Sequence, residues 1–182
     1  MQTTAADILA FWFSARVRPL WFRSTPAFDA ELTARFLPTF RAAAAGGLGP
    51  WQASAEGAVA LAICLDQFPL NMFRGQAESF ATEAAARVVA DTAIARGFDR
   101  LLADEQKLFL YLPFMHSEDL GDQDRSVALF AAAGLTENLK YANHHRDIIR
   151  RFGRFPHRNA ILGRESTAQE REYLASKEAF LG

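Results

Sequence analysis

Thr25-Pro-Ala-Phe-Asp-Ala-Glu-Leu-Thr-Ala-Arg-Phe-Leu-Pro-Thr-Phe40 is the stretch that decides the fold class. Phe28, Leu32, Phe36 and Phe40 stand four residues apart, which strings them along one stripe of an α-helix. Thr25 and Pro26 supply the opening: a hydroxyl that can cap the first turn, then a proline where the helix has no use for an N–H. Pro38 predicts a kink or a late break, because it lacks the N–H that its turn needs. Upstream, Thr4-Ala-Ala-Asp7 reads as a capping box before Ile8, Leu9, Phe11 and Trp12, and Pro19 closes that pattern.

The same punctuation continues downstream. Gly46-Gly-Leu-Gly-Pro50 is a loop. From Ser54 a helix with Val59, Leu61, Ile63 and Leu65 is apolar almost all round; it is expected to be internal and to stop near Pro69, just after Asp66 and Gln67. A fourth helix is expected over about 79–95, with Gly97 as its stop. Asp104 can cap a fifth, whose centre Phe109-Leu-Tyr-Leu-Pro-Phe-Met115 is apolar throughout and bent at Pro113. A sixth, over about 123–133, ends at Gly134. A seventh, over about 136–152, places Tyr141, His145, Ile148 and Phe152 on its buried stripe. The last opens at a second capping box, Thr167-Ala-Gln-Glu170, and carries Tyr173 and Leu174. No segment alternates as a strand does. The expectation is an all-α protein, one domain over 1–182, built of antiparallel helical hairpins in a stack or irregular bundle. A short echo, Phe68-Pro-Leu-Asn71 with Gly75 against Phe155-Pro-His-Arg-Asn159 with Gly163, suggests internal duplication.

Composition narrows the function classes. Half of the 182 residues are hydrophobic and 23% are charged, as in ordinary globular domains. The run Ala58–Leu65 is far shorter than the roughly 20 residues that a membrane span needs. The opening MQTTAADILAFWF lacks the basic start of a signal peptide, so a cytoplasmic location is expected. Cys64, the only cysteine, lies in the apolar run and reads as a core side chain. A net charge of −1 favours neither nucleic acid nor membrane as a partner. The sixteen phenylalanines and three tryptophans read mostly as core, although Trp12, Trp21 and Trp51 can line a pocket.

Three longer segments, Leu65-Asp-Gln-Phe-Pro-Leu-Asn71, Tyr111-Leu-Pro-Phe-Met-His-Ser-Glu-Asp119 and His145-Arg-Asp-Ile-Ile-Arg-Arg-Phe-Gly-Arg-Phe-Pro-His-Arg-Asn159, closely resemble the signature segments of a bacterial family known as domain of unknown function nine hundred and twenty-four. The resemblance runs over essentially the whole chain. It implies an all-helical, tetratricopeptide-like stack or bundle and no established activity. The chain departs from the family at Leu70, where arginine is usual. The consensus of true tetratricopeptide arrays is absent, so the likeness concerns helix packing rather than a peptide-binding groove.

Chemistry concentrates in His144–Arg164, HHRDIIRRFGRFPHRNAILGR, which holds three of the four histidines and six arginines against the single acid Asp147. That segment carries +5 and the remainder −6, so charge is sorted along the chain. Arginine offers a planar fork suited to carboxylate or phosphate, and Gly153 and Pro156 would turn the backbone so that Arg154, His157, Arg158 and Asn159 project from a shaped loop. With Arg146, Asn71 and Arg74 these are the candidate ligand-binding residues. The same residues can instead cap the seventh helix and pair with Glu118, Asp119, Asp122 and Asp124. A second constellation, His116-Ser-Glu118-Asp119 with Asp66, supports either acid–base chemistry or a buried hydrogen-bond network. No metal-ligand spacing, glycine-rich phosphate loop, Walker lysine or nucleophile elbow occurs, so no metal and no cofactor is expected.

Three functional readings follow. The first is a module that binds an anionic small molecule or acidic peptide through the Arg/His loop. The second is an enzyme, such as a hydrolase, with His116 or His145 as base, Asp66 or Glu118 orienting it and arginines holding an anionic substrate. The third is a scaffold without a small-molecule site. Oligomeric state is not legible.

Overall fold

The computed structural model describes residues 3–181, and among these every regular element is helical and none is a strand. The protein is all-α. It divides into two compact units, one formed by the chain up to Arg74 with Glu78–Pro113, the other by Phe114 onward with Gly75–Ala77.

The first unit contains α1 (Ala5–Trp12), α2 (Pro26–Ala44), α3 (Ala55–Ala62), α4 (Phe68–Met72), α5 (Glu83–Ala95) and most of α6 (Asp104–Met115). Both halves of the Thr4/Asp7 capping box form at α1. In α2, Thr25 accepts from the N–H of Phe28, and Phe28, Leu32, Phe36 and Phe40 are buried as their spacing requires. Pro38 does not end this helix. Pro38 and Ala34 are exposed, so water can take the Ala34 carbonyl that the missing N–H leaves open. The stripe meets an aromatic core: Phe36 stacks on Phe68 at 5.4 Å, and Trp12 lies 5.7 Å from Phe68 and 5.5 Å from Phe109. Each such burial contributes about 1.5–3 kcal/mol relative to exposure. Cys64 is fully buried, and burial pushes its thiol far up from its ordinary range.

The third helix does not stop at Pro69. After α3 the chain widens into a π-turn, Ile63–Gln67, and continues directly through α4 to Met72. A regular turn would need Pro69 to donate to the Leu65 carbonyl, which it cannot. That carbonyl accepts instead from the Thr82 hydroxyl at 2.5 Å. Asp66 and Gln67 are therefore buried within a helical run rather than set at its end, with Gln67 Nε2 donating to Asp66 Oδ2 at 2.5 Å. Because Thr82 is committed to Leu65, and Ala77–Phe80 forms a 3-10 turn whose Ser79 hydroxyl donates to the Phe73 carbonyl, α5 begins at Glu83, later than expected. Gly97, at φ 73°, stands where α5 ends, as expected. Asp104 is the first residue of α6 rather than its cap; Gln106 Oε1 accepts from the N–H of Ala103.

The second unit holds α7 (Leu120–Ala132), α8 (Thr136–Phe152), a 3-10 turn at Pro156–Arg158 and α9 (Ala168–Leu174). α7 starts three residues before the expected 123, because the Asp119 carboxylate caps it by accepting from the N–H of Asp122 at 3.0 Å. Gln123, fully buried, donates to the carbonyls of Met115 and Ser117, both at 2.7 Å, where the end of α6 leaves acceptors without intrahelical partners. α7 and α8 pack together as a hairpin around Gly134. α8 spans the expected residues and ends at left-handed Gly153, but Tyr141 is 61% exposed. The buried stripe is Ala142, His145, Ile148 and Ile149, centred slightly further round the helix. The Phe155-Pro156 echo forms an isolated 3-10 turn where Phe68-Pro69 is part of a helix, so the two segments do not share a backbone conformation. Among the described residues no helix is long and apolar enough to cross a membrane.

One glycine in the first unit has a steric purpose. A Cβ on Gly57 would lie 2.0 Å from the Trp51 carbonyl oxygen, because the turn Gly49–Ala53 crosses the start of α3. Gly57→Ala is expected to cost about 1–3 kcal/mol, read as a lower denaturant midpoint with an unchanged m-value and an intact helical circular-dichroism spectrum.

Candidate functional site

The chemistry-bearing residues of the second unit converge through four segments. The link between α6 and α7 supplies His116 and Glu118, α8 supplies His144 and His145, the turn after α8 supplies His157 and Arg158, and the chain that follows supplies Arg164 and Glu170.

Glu118 is the anchor. Its carboxylate receives both prongs of Arg164, Nη1 at 2.6 Å and Nη2 at 2.9 Å, and the backbone N–H of Phe155 at 2.8 Å. Burial alone would raise its pKa; the Arg164 fork, the Phe155 N–H and the charges of Arg164 and Arg158 hold it below the ordinary range instead. Arg164 also donates to Asn159 Oδ1 at 3.1 Å, and Asn159 Nδ2 donates to the Ser166 hydroxyl at 3.1 Å. Arg154 makes a second fork, Nε and Nη2 to the two oxygens of buried Glu170 at 2.7 and 2.9 Å, and donates to the Glu165 carbonyl at 2.8 Å. Glu170 is held down to about 2, chiefly by Arg154.

Arg158 and Asn159 do not project from the loop as expected; they are 5% and 1% exposed. The 3-10 turn winds them inward, so that Arg158 Nη2 donates to the His116 carbonyl at 3.1 Å and its guanidinium lies 4.7 Å over the Phe155 ring. His157 stacks obliquely 5.7 Å from Phe155, and its Nδ1 is buried without a hydrogen-bond partner. Burial, then Arg158, lower its pKa to about 4. His145 Nδ1 lies 2.8 Å from the Tyr141 carbonyl, which can only accept, so the proton sits on Nδ1 and the lone pair on Nε2. Burial, then His116, lower the pKa of His145 to about 3.

Arg146 turns toward α7, donating to Asn143 Oδ1 at 2.8 Å and standing 3.6 Å from Asp124, which Arg150 also approaches at 3.3 Å. Asp66, Asn71 and Arg74 belong to the first unit, where Arg74 Nε pairs with Asp29 at 2.9 Å. Of the acids offered as arginine partners, Glu118 pairs with Arg164 and Asp124 with Arg146 and Arg150; the Asp119 carboxylate caps α7, and Asp122 accepts from the Ser117 hydroxyl at 2.6 Å. Among the described residues, no three His, Cys, Asp or Glu side chains come together as a metal site.

Sequence reasoning did not select Arg164, Glu170 or Phe180. Arg164 closes the arginine-rich segment and Glu170 was visible only as half of a capping box; both also serve as ion-pair partners. Phe180 lies beyond α9, with its ring 4.4 Å from His145, 5.1 Å from His157 and 6.4 Å from His144. An isolated aromatic past the last helical pattern carries no signal of what it will touch.

Two outcomes follow from this geometry. Glu118→Gln and Arg164→Met each leave a part-buried partner uncompensated, so each should destabilise the protein. Their double-mutant cycle should give a coupling on the order of 0.5–3 kcal/mol in chemical denaturation. The depressed pKa values of His145 and His157 contribute stability that is whole above 6.5 and is lost as pH falls toward about 4 and about 3. Glu170 adds a loss between 4.5 and about 2. Thermal midpoints should begin to fall below about pH 6.5, before the carboxylates titrate, and His145→Leu should flatten that first part of the curve.

Comparison with known proteins places this geometry in a family. The model of a bacterial protein of unknown function (DUF924) matches residues 8–178. A solved structure of a protein of unknown function, ATU0120 from Agrobacterium tumefaciens, is 46% identical and superimposes with a TM-score of 0.90 over 94% of this chain and 96% of that one. No curated protein matches. With all but its first few and last few residues inside the family model, the chain belongs to the bacterial DUF924 family of unknown function.

Proposed function

We propose that this protein binds an anionic small molecule or an acidic peptide at the histidine and arginine cluster of its second unit. The observation that supports this reading is His157: a buried ring nitrogen with no partner, beside Arg158, whose charge influences it more than the opposing charge of Glu118. A bound carboxylate or phosphate would supply an acceptor for that ring once it is protonated.

The acid–base reading fits less well. A histidine whose pKa is about 3, as at His145, is neutral at pH 7 but a weak proton acceptor, far from the matched value that efficient general-base catalysis uses. Glu118, one of the two residues expected to orient a catalytic histidine, is committed to Arg164 and Phe155.

Anion binding at such a ring is linked to proton uptake, because the anion raises the pKa of the imidazole and so binds more tightly as pH falls. Titration calorimetry with acetate and inorganic phosphate between pH 8 and pH 5.5 should show affinity rising by up to about tenfold per pH unit, with protons taken up. His157→Phe should keep the fold and remove that dependence. Affinity that is absent, or flat with pH in the parent protein, would remove the basis for the proposal.

A further inference from the structure

Resting on the anion-binding reading, we infer that the ligand of this site carries an aromatic ring beside its anionic group, and that Phe180 occupies the place of that ring until the ligand displaces it.

Three imidazoles from two separate elements, His144 and His145 on α8 and His157 on the following turn, surround the Phe180 ring. Imidazoles present flat aromatic surfaces, and edge-on or tilted contacts at these separations are the favoured arrangements. Phe155 backs the slot, 5.5 Å from His145 and 5.7 Å from His157, and the Arg158 guanidinium lies 4.7 Å over its ring. The ring-shaped subsite and the Arg158 guanidinium thus share Phe155 as a neighbour, through His145 and His157 on one side and directly on the other.

The occupant sits on a segment whose neighbours are exposed. Phe180 is only half-buried, and Ser176, Lys177, Glu178 and Leu181 around it are exposed. Its backbone N–H donates to the Tyr173 hydroxyl at 2.8 Å, which pins the segment to α9. The neighbouring N–H bonds, Ala179 to the Ser176 carbonyl at 3.4 Å and Glu178 to the Ser176 hydroxyl at 3.3 Å, are long and local. Phe180 packs with Ala179 against Ile148, Ile149, Phe155 and Tyr173; a segment held by such contacts and by local bonds opens more readily than the elements of the histidines, which are fixed by Glu118 and by the α8 stripe.

The shared chemistry is an aryl carboxylate, whether a free acid such as 3-phenylpropionate or a peptide ending in phenylalanine. The test compares acetate, 3-phenylpropionate and a pentapeptide ending in phenylalanine on the parent protein and on F180A. It also follows exchange of the Phe180 amide in the parent protein with and without saturating 3-phenylpropionate. Removing the internal competitor should tighten 3-phenylpropionate by about tenfold and leave acetate nearly unchanged. In the parent protein the aryl acid should accelerate exchange of the Phe180 amide by breaking its bond to Tyr173. The tighter of the peptide and the free acid identifies the source. Full protection of the Phe180 amide under saturating 3-phenylpropionate overturns the displacement, and this measurement stands even if F180A folds poorly. Acetate binding that depends on pH, with no preference for the aryl acid in either protein, overturns this inference while leaving the anion site. Absence of binding by all three probes removes both.

Discussion

The second unit depends on the partnering of one part-buried carboxylate. Glu118 sits in the link before α7, yet its three donors come from Phe155 and Arg164, far along the chain. Withdrawing a carboxylate from water is costly, and two guanidinium prongs plus a backbone N–H offset that cost only while the turn after α8 keeps its position. Fixing the Phe155 backbone also fixes its ring, on which Arg158 stacks and against which His145 and His157 rest. The placement of His145 and His157 against Phe155 thus depends on the same ion pair that fixes that turn.

A comparable dependence governs the first unit. The aromatic core around Trp12, Phe36, Phe68 and Phe109 requires the chain to carry Phe68 inward on a continuous helical path, although Pro69 follows immediately. The π-turn and the Thr82 hydroxyl on the Leu65 carbonyl resolve that conflict. In both units, a polar group that local structure leaves unsatisfied is satisfied by a side chain from a separate element, and the site or core is built around that contact.

Arginines that look like a ligand-binding loop in one dimension are largely engaged by the protein itself. Arg154 is committed to Glu170 and Arg164 to Glu118. Beside Arg158 stand His145 and His157, which burial holds neutral. The character of the site therefore rests on the histidines more than on the number of arginines, and the ring of Phe180 lies against three of them.

Helix identity was legible from residue chemistry because caps and apolar spacing are local. Thr4 with Asp7, Thr25 and Thr167 with Glu170 cap where their patterns place them, α3 begins after Ser54, Phe28 to Phe40 are buried, and α8 runs over the expected residues. The failures mark non-local partners. Pro69 reads as a stop until Thr82 is known to reach Leu65, and Arg158 and Asn159 read as exposed until the turn winds them inward. The segment rich in histidine and arginine was evident from the chain alone, since charge sorting needs no coordinates. Which of its side chains are consumed and which remain was decided only by tertiary structure, because the carboxylate answering Arg164 and the ring filling the histidine slot are brought in from outside that segment by packing.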